Sequence, residues 1–296
     1  MAKTRFINDR GLTSRMVLVM FLLGLLYVAV VVGLMFAGLN LAVVIVIAAA
    51  LLVGQWFFSD KIALASMGAR EVTPEQAPEL HAMIDRLCAM ADMPKPRVAI
   101  ARMDMPNAFA TGRNPNKSVV CVTTGLMNRL SQTELEGVLA HELSHIAHRD
   151  VAVMTIASFL GVLAGLVMRF GLYFSGGGGR NNNAAVIVAV MWLGSIAVYV
   201  ISFLLTRALS RYREFAADRA GAYLTGNPSA LASALMRIEG ATIPKQDLRA
   251  AQPAQAFMFA PAAAGRSLAG ILSTHPATEK RVQKLSEIST QLGKEL

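Results

Sequence analysis

The sequence predicts an α-helical integral membrane protein that carries, outside the bilayer, a mainly-α domain of α+β type with a small sheet. Three observations predict it. Hydrophobic residues make up 54% of the 296 residues and charged ones only 16%, against about 25% charged in soluble domains, and mean hydropathy is +0.48. The apolar residues gather in two pairs of runs, each run close to the roughly 20 residues that one helical crossing needs. Two polar blocks alternate with those pairs and hold capped helix starts and short β-branched stretches. The net charge of +9 does not point to nucleic acid, because the basic residues flank apolar runs instead of interleaving with aromatic ones. An anionic lipid surface accounts for them. Cys88 and Cys121 form no CxxC pattern, which excludes a disulfide scaffold and a thiolate metal site.

Residues 1–58 are read as a cytoplasmic N-terminus and a transmembrane hairpin. No charged side chain lies between Arg15 and Asp60, so spans of about 16–36 and 41–58 are expected around the uncharged turn Ala37-Gly38-Leu39-Asn40. A cleaved signal peptide competes for the basic start, but its apolar stretch lasts only about 7 to 15 residues. Residues 151–206 are read as a second hairpin, with spans of about 151–174 and 184–205 joined by a Gly- and Asn-rich connector over 175–183. The competing account is a pair of buried helices of a soluble domain. Arg169 lies near the end of the third run, where its stem can snorkel to the headgroups. Positive charge sets the orientation. Lys3, Arg5, Arg10 and Arg15 precede the first run, Lys61 and Arg70 follow the second, and Arg207, Arg211 and Arg213 follow the fourth. Both termini and both polar blocks, 59–150 and 207–296, are therefore expected in the cytoplasm and can build one domain.

In the first block, Thr73-Pro-Glu-Gln76 reads as a capping box, and Leu80, Met83, Ile84 and Leu87 continue a helix to about Ala91. Strands are expected over 97–102 and 118–123, with Asn107 to Gly112 between them. Ser131-Gln-Thr-Glu134 is a second capping box, opening an amphipathic helix to about His148. His81, on the first of these helices, is expected to be solvated.

The second helix carries His141-Glu142-Leu143-Ser144-His145. Imidazoles at i and i+4 lie one above the other on one face, a spacing that suits two bonds to one metal ion. Glu142 is rotated by about 100° along the helix, beside the ion instead of on it, where it can take a proton from an attacking water. The bland alternative is an exposed helix that happens to carry two His; Leu139, Leu143 and Ile146 argue that one side is buried. A hydrolytic zinc site needs a third protein ligand. In Ser210-Arg-Tyr-Arg-Glu214-Phe-Ala-Ala-Asp218, Glu214 and Asp218 share a helical face, so Glu214 is read as that ligand and Asp218 as an acid orienting a ligand His from behind. A solvated ion-paired face with Arg211 and Arg213 is the alternative. Asp150 is an equal candidate for the orienting role.

These residues resemble a known family. His141 to Asp150 (HELSHIAHRD), Ser210 to Asp218 (SRYREFAAD) and Ser273 to Arg281 (STHPATEKR) are similar to the three signatures of the HtpX membrane metalloproteases, and Asn107 to Gly112 (NAFATG) also matches. The resemblance covers nearly the whole chain. It implies a cytoplasmic, mainly-α, zincin-like α+β metalloprotease domain carrying a small sheet. It also implies a zinc-dependent endopeptidase of the bacterial inner membrane, active on the cytoplasmic side in quality control of misfolded or damaged membrane proteins. By the same resemblance His141, His145 and Glu214 hold one zinc ion per chain and Glu142 is the base. His148 departs from the family's usual Asn.

His275 is read either as a stabiliser of developing oxyanion charge or as a turn residue before Pro276. Asn107 either grips substrate backbone beside an edge strand or makes an Asx-turn. The stretch from Ala250 to Ala264 reads as an apolar segment that covers a cleft or meets lipid. The expected partners are polypeptide substrates, unfolded membrane proteins among them, and the lipid bilayer. The rival reading from another class is a membrane-anchored zinc-binding scaffold or adaptor without turnover, which a closed four-ligand site completed by His275 or His148 would favour.

Overall fold

The computed structural model describes residues 10–36, 41–159, 161, 182–239 and 276–293. The chain divides into two compact units, one built from Phe57–Ala152 and Ser210–Leu296 together with Met1–Thr13, the other from Ser14–Trp56 and Val153–Leu209.

The second unit is helical. It takes in most of α1 (Arg10–Phe36) and the first part of α2 (Leu41–Ser66), with the apolar helix α6 (Asp150–Phe159) and the first half of α7 (Asn182–Thr225). Large apolar side chains point outward along these helices, among them Val17, Phe21, Leu25, Leu193 and Leu204. Outward-facing apolar stripes of that length suit lipid and not water. Among the described residues, Thr13–Val30 and Trp192–Thr225 are long and apolar enough to cross a membrane. Of the expected run 151–174, the part beyond Gly161 lies outside the described residues, as does Arg169. Inside the unit, Tyr27 Oη donates to the Ile156 carbonyl at 2.8 Å and Thr206 Oγ1 to the Ala157 carbonyl at 3.2 Å. Bonds of this kind, from a side chain to a carbonyl on a neighbouring helix, tie the helices of the unit together.

The first unit is built on a four-stranded sheet of order β1-β2-β4-β3, comprising β1 (Arg70–Glu71), β2 (Arg97–Ala101), β3 (Ala108–Gly112) and β4 (Ser118–Thr123). β2 and β4 run parallel, Arg97 opposite Val119 through Ala101 opposite Thr123, while β1 and β3 pair antiparallel at the two edges. The segment Ala108–Gly112, for which the sequence predicts no strand bounds of its own although an edge strand is expected near Asn107, is an edge strand. Its hairpin closes at Gly112, whose φ of 137° no side chain tolerates and where a Cβ would lie 2.5 Å from the Lys117 carbonyl oxygen. Both faces of the sheet are covered. Val98, Ala108, Val120 and Val122 face a core with α3 (Pro78–Ala91), α5 (Gln132–Ala147), α8 (Pro228–Glu239) and α9 (Thr278–Gln291). The alternate residues Ala99, Ala101, Phe109, Val119 and Cys121 pack with Ala63 and Met67 at the end of α2. Burial on both faces explains why all six residues of β4 are buried.

Two expectations are corrected. The helix expected from Thr73 begins at Pro78. Thr73 to Ala77 forms a separate turn in which the Thr73 N–H donates to Gln76 Oε1 at 3.0 Å. Ala77 precedes a proline and is pushed out of the helical region, to φ −145° and ψ 64°. His81 is buried, not solvated, with Nε2 3.0 Å from the Val72 carbonyl oxygen.

Candidate metal centre

The helix α5 starts where the capping box sets it. Ser131 Oγ accepts from the Glu134 N–H at 3.3 Å while the Ser131 N–H donates back to Glu134 Oε2 at 2.8 Å. Leu135, Val138, Leu139, Leu143 and Ile146 face the core, and this burial turns His141 and His145 toward α7. There Gly221 permits close approach, since a Cβ would meet the His141 backbone nitrogen at 3.0 Å.

Across that contact His141 Nε2, His145 Nε2 and the Glu214 carboxylate converge. The two Nε2 atoms are 3.2 Å apart; His141 Nε2 lies 3.7 Å from Glu214 Oε2 and His145 Nε2 3.5 Å from Glu214 Oε1. The three groups can each offer one ligand atom within 4.8 Å of the others. Tetrahedral ligands at about 2.0–2.1 Å from a zinc ion stand roughly 3.3 Å apart, so the spacing fits such an ion.

Behind each imidazole stands a carboxylate. His141 Nδ1 is 2.9 Å from Asp218 Oδ1, and His145 Nδ1 is 2.5 Å from Asp150 Oδ2. A carboxylate only accepts, so both Nδ1 atoms carry the proton and both Nε2 lone pairs face the common centre, the tautomer a metal requires. Burial drives the His141 ring down to about 4, which keeps it neutral. Each acid is in turn held by a buried arginine. Arg281 binds Asp218 through Nε at 2.8 Å and Nη2 at 2.6 Å, and Arg213 Nη2 lies 2.8 Å from Asp150. Burial alone would raise Asp150 and Asp218; these arginines and the imidazoles outweigh it and hold both carboxyls below their usual range.

Glu142 is buried against the same centre, and burial pushes its carboxyl up to about 8. It accepts a hydrogen bond from the backbone N–H of Ala110, in the edge strand β3. Asn107, just before β3, is fixed through its backbone, with its N–H donating to Thr123 Oγ1 at 2.8 Å. His148 is exposed at the C-cap of α5. His275 and the stretch 250–264 lie outside the described residues. Cys88 and Cys121 sit in the cores, their thiols raised by burial to about 11 and about 12, and offer no thiolate.

Sequence reasoning missed Arg281 and Arg213. Arg281 carried a signal: it stands with Leu285 and Ile288 at i, i+4 and i+7, the buried stripe of α9. A charge in that stripe needs a buried partner.

The family model of peptidase family M48 matches residues 74–289. The chain is 56% identical over 295 residues to Protease HtpX homolog 1 of Streptomyces coelicolor, spanning 98% of this chain and 97% of that one. It is 50% identical to Protease HtpX homolog 2 of Methanosarcina mazei over 98% and 100% of the two chains. The crystal structure of Ste24p from S. mikatae superposes with a TM-score of 0.53 at 16% identity, over 88% of this chain and 62% of that one, a likeness of fold. Full-length identity of this order, joined to a His-His-Glu centre on two helices, places the chain in peptidase family M48, among its HtpX members.

Proposed function

We infer that the chain is a membrane metalloprotease that hydrolyses peptide bonds with one zinc ion. The observation that carries this reading is the conjunction at one buried centre of the His141, His145 and Glu214 ligand atoms with Glu142 beside them and the edge of β3 against Glu142. A structural site needs no such carboxylate next to it. The chemistry supplied by zinc, when bound, is Lewis acidity toward the scissile carbonyl and toward water.

The protein's own groups do the rest. His141, His145 and Glu214 hold the ion, and Asp218 and Asp150 aim the two rings. Glu142 takes the proton of the attacking water and delivers it to the leaving amine. An extended substrate adds to the outer edge of β3 through backbone hydrogen bonds, with Asn107 just before that strand, so recognition is loosely selective in sequence. His275 stabilises oxyanion charge in this reading. Loose selectivity suits removal of misfolded or damaged membrane proteins. Four spans, at about 16–36, 41–58, 151–174 and 184–205, with both termini and the centre in the cytoplasm, agree with the distribution of Lys and Arg.

The test is cleavage of an unfolded membrane protein by the detergent-purified chain beside Glu142→Gln, with zinc measured in both. Glu142→Gln is expected to hold one zinc per chain and to lose cleavage by about 10²-fold or more, since an amide cannot accept the proton. Near-parental turnover in that variant would remove Glu142 from its role.

A further inference from the structure

The end of α2 and the tip of the β3–β4 hairpin form a patch that the proposed chemistry does not use. The uncharged run of α2 closes on Trp56, Phe57 and Phe58, all exposed, and Lys61 follows one turn later. Aromatic rings followed by a basic residue mark the level where hydrocarbon gives way to headgroups. The hairpin tip reaches this level. Arg113 places its guanidinium 4.0 Å from the centre of the Phe57 ring, and Lys61 Nζ lies 5.9 Å from that of Phe58.

The tip is rigid and basic. A single 3₁₀ turn, Pro115–Lys117, is closed by the Lys117 N–H donating to Asn114 Oδ1 at 2.9 Å, and Ser118 Oγ donates to the Pro115 carbonyl at 2.7 Å. Lys117 is exposed beside Arg113. Between Asp104 and Glu134 the sequence holds no Asp or Glu. On α2 the nearest acid, Asp60, is occupied by Arg97 at 2.6 Å. Ala63 and Met67 of α2 pack into the sheet, which fixes the height of the tip on the helix.

We propose that Lys61, Arg113 and Lys117 form a binding surface for the headgroups of anionic phospholipids, seated against the bilayer by Phe57 and Phe58. Rings and guanidinium present an apolar base under a cationic rim, which a lipid phosphate above its acyl chains complements. The surface stands whether or not the chain is a peptidase. If the reading under Proposed function holds, the headgroups position β3, so that a substrate segment leaving the membrane meets the strand at the lipid surface.

The experiment uses the full chain with Trp192→Phe, which leaves Trp56 as the single tryptophan. The protein is placed in phosphatidylcholine nanodiscs doped with equal small fractions of tail-brominated phosphatidylglycerol or tail-brominated phosphatidylcholine, and Trp56 quenching is read. Brominated phosphatidylglycerol is expected to quench several-fold more strongly at equal mole fraction. The preference should fall in Arg113→Gln and in Lys117→Gln, approach parity when the two are combined, and persist in the double variant Arg113→Lys, Lys117→Arg. Equal quenching by the two lipids in the parent overturns the proposal, whatever the variants do. So does an undiminished preference in the double Gln variant.

Discussion

The Asp218 carboxylate touches no candidate ligand position on the ion side, yet it determines what His141 offers there. It accepts the Nδ1 proton and is clamped by two bonds from Arg281. Outer carboxylates of this kind are worth about 10–100-fold in metal affinity. Asp218→Asn is therefore expected to weaken zinc binding by that factor, measured by competition with a chromophoric chelator. An unchanged dissociation constant would show that the ring is oriented by packing alone. The two imidazoles, Glu142, Glu214 and Asp218 were visible in the sequence because each sits within one helical turn of a partner. Arg281 showed only as a charge in the buried stripe of α9, and its partner was not legible, because Asp218 lies on another helix far away in sequence.

Helix α5 has to begin at one register for its two imidazoles to face α7, and Glu134 sets that register. The carboxylate accepts from Ser131 at the cap, from Ser233 Oγ of α8 at 2.6 Å, and pairs with Arg237 Nε at 2.9 Å. Burial by itself would raise its pKa; those hydrogen bonds and the arginine outweigh it and lower the group below 4.5. A carboxylate depressed on folding contributes stability above its unfolded value, and this contribution is lost as pH falls through the folded one. Glu134→Ala is expected to cost about 1–2 kcal/mol at pH 7 in denaturant unfolding. The gap to the parent should narrow as pH drops below about 4.5; a gap independent of pH would make the loss one of packing. The neighbouring element shows the limit of such signals. Thr73 looked like a helix start by the same pattern as Ser131, and Pro78 overrode it by forcing Ala77 out of helical space.

One ion held by α5 and α7 would join segments that the apolar run 151–206 separates in the chain, so metal and fold are linked. Binding to the folded state alone adds stability as RT ln(1 + [L]/Kd), about 4 kcal/mol when free zinc is a thousand times Kd. Cys88 and Cys121 supply the readout, because buried thiols raised to about 11 and about 12 react with a maleimide only when the protein opens. Chelation is expected to move the thiol-labelling transition to lower temperature, and restored zinc to reverse it. Glu142→Gln should shift as the parent does. A transition indifferent to chelator would mean that the three ligand groups close without an ion.

Local patterns in the chain were enough to determine the apolar runs, the capped start of α5, the shared faces of His141 with His145 and of Glu214 with Asp218, and strands near 97–102 and 118–123. Each rests on contacts between residues a few positions apart, which leave a periodic trace, or on bulk transfer from water, which leaves an unbroken apolar run. The placement of Ala108–Gly112 as an edge strand against Glu142, the burial of His81, and the arginines behind Asp150 and Asp218 depended on distant partners. Burial of a charge or exposure of a strand edge is a property of what packs against it, and that is set only when segments far apart in order meet.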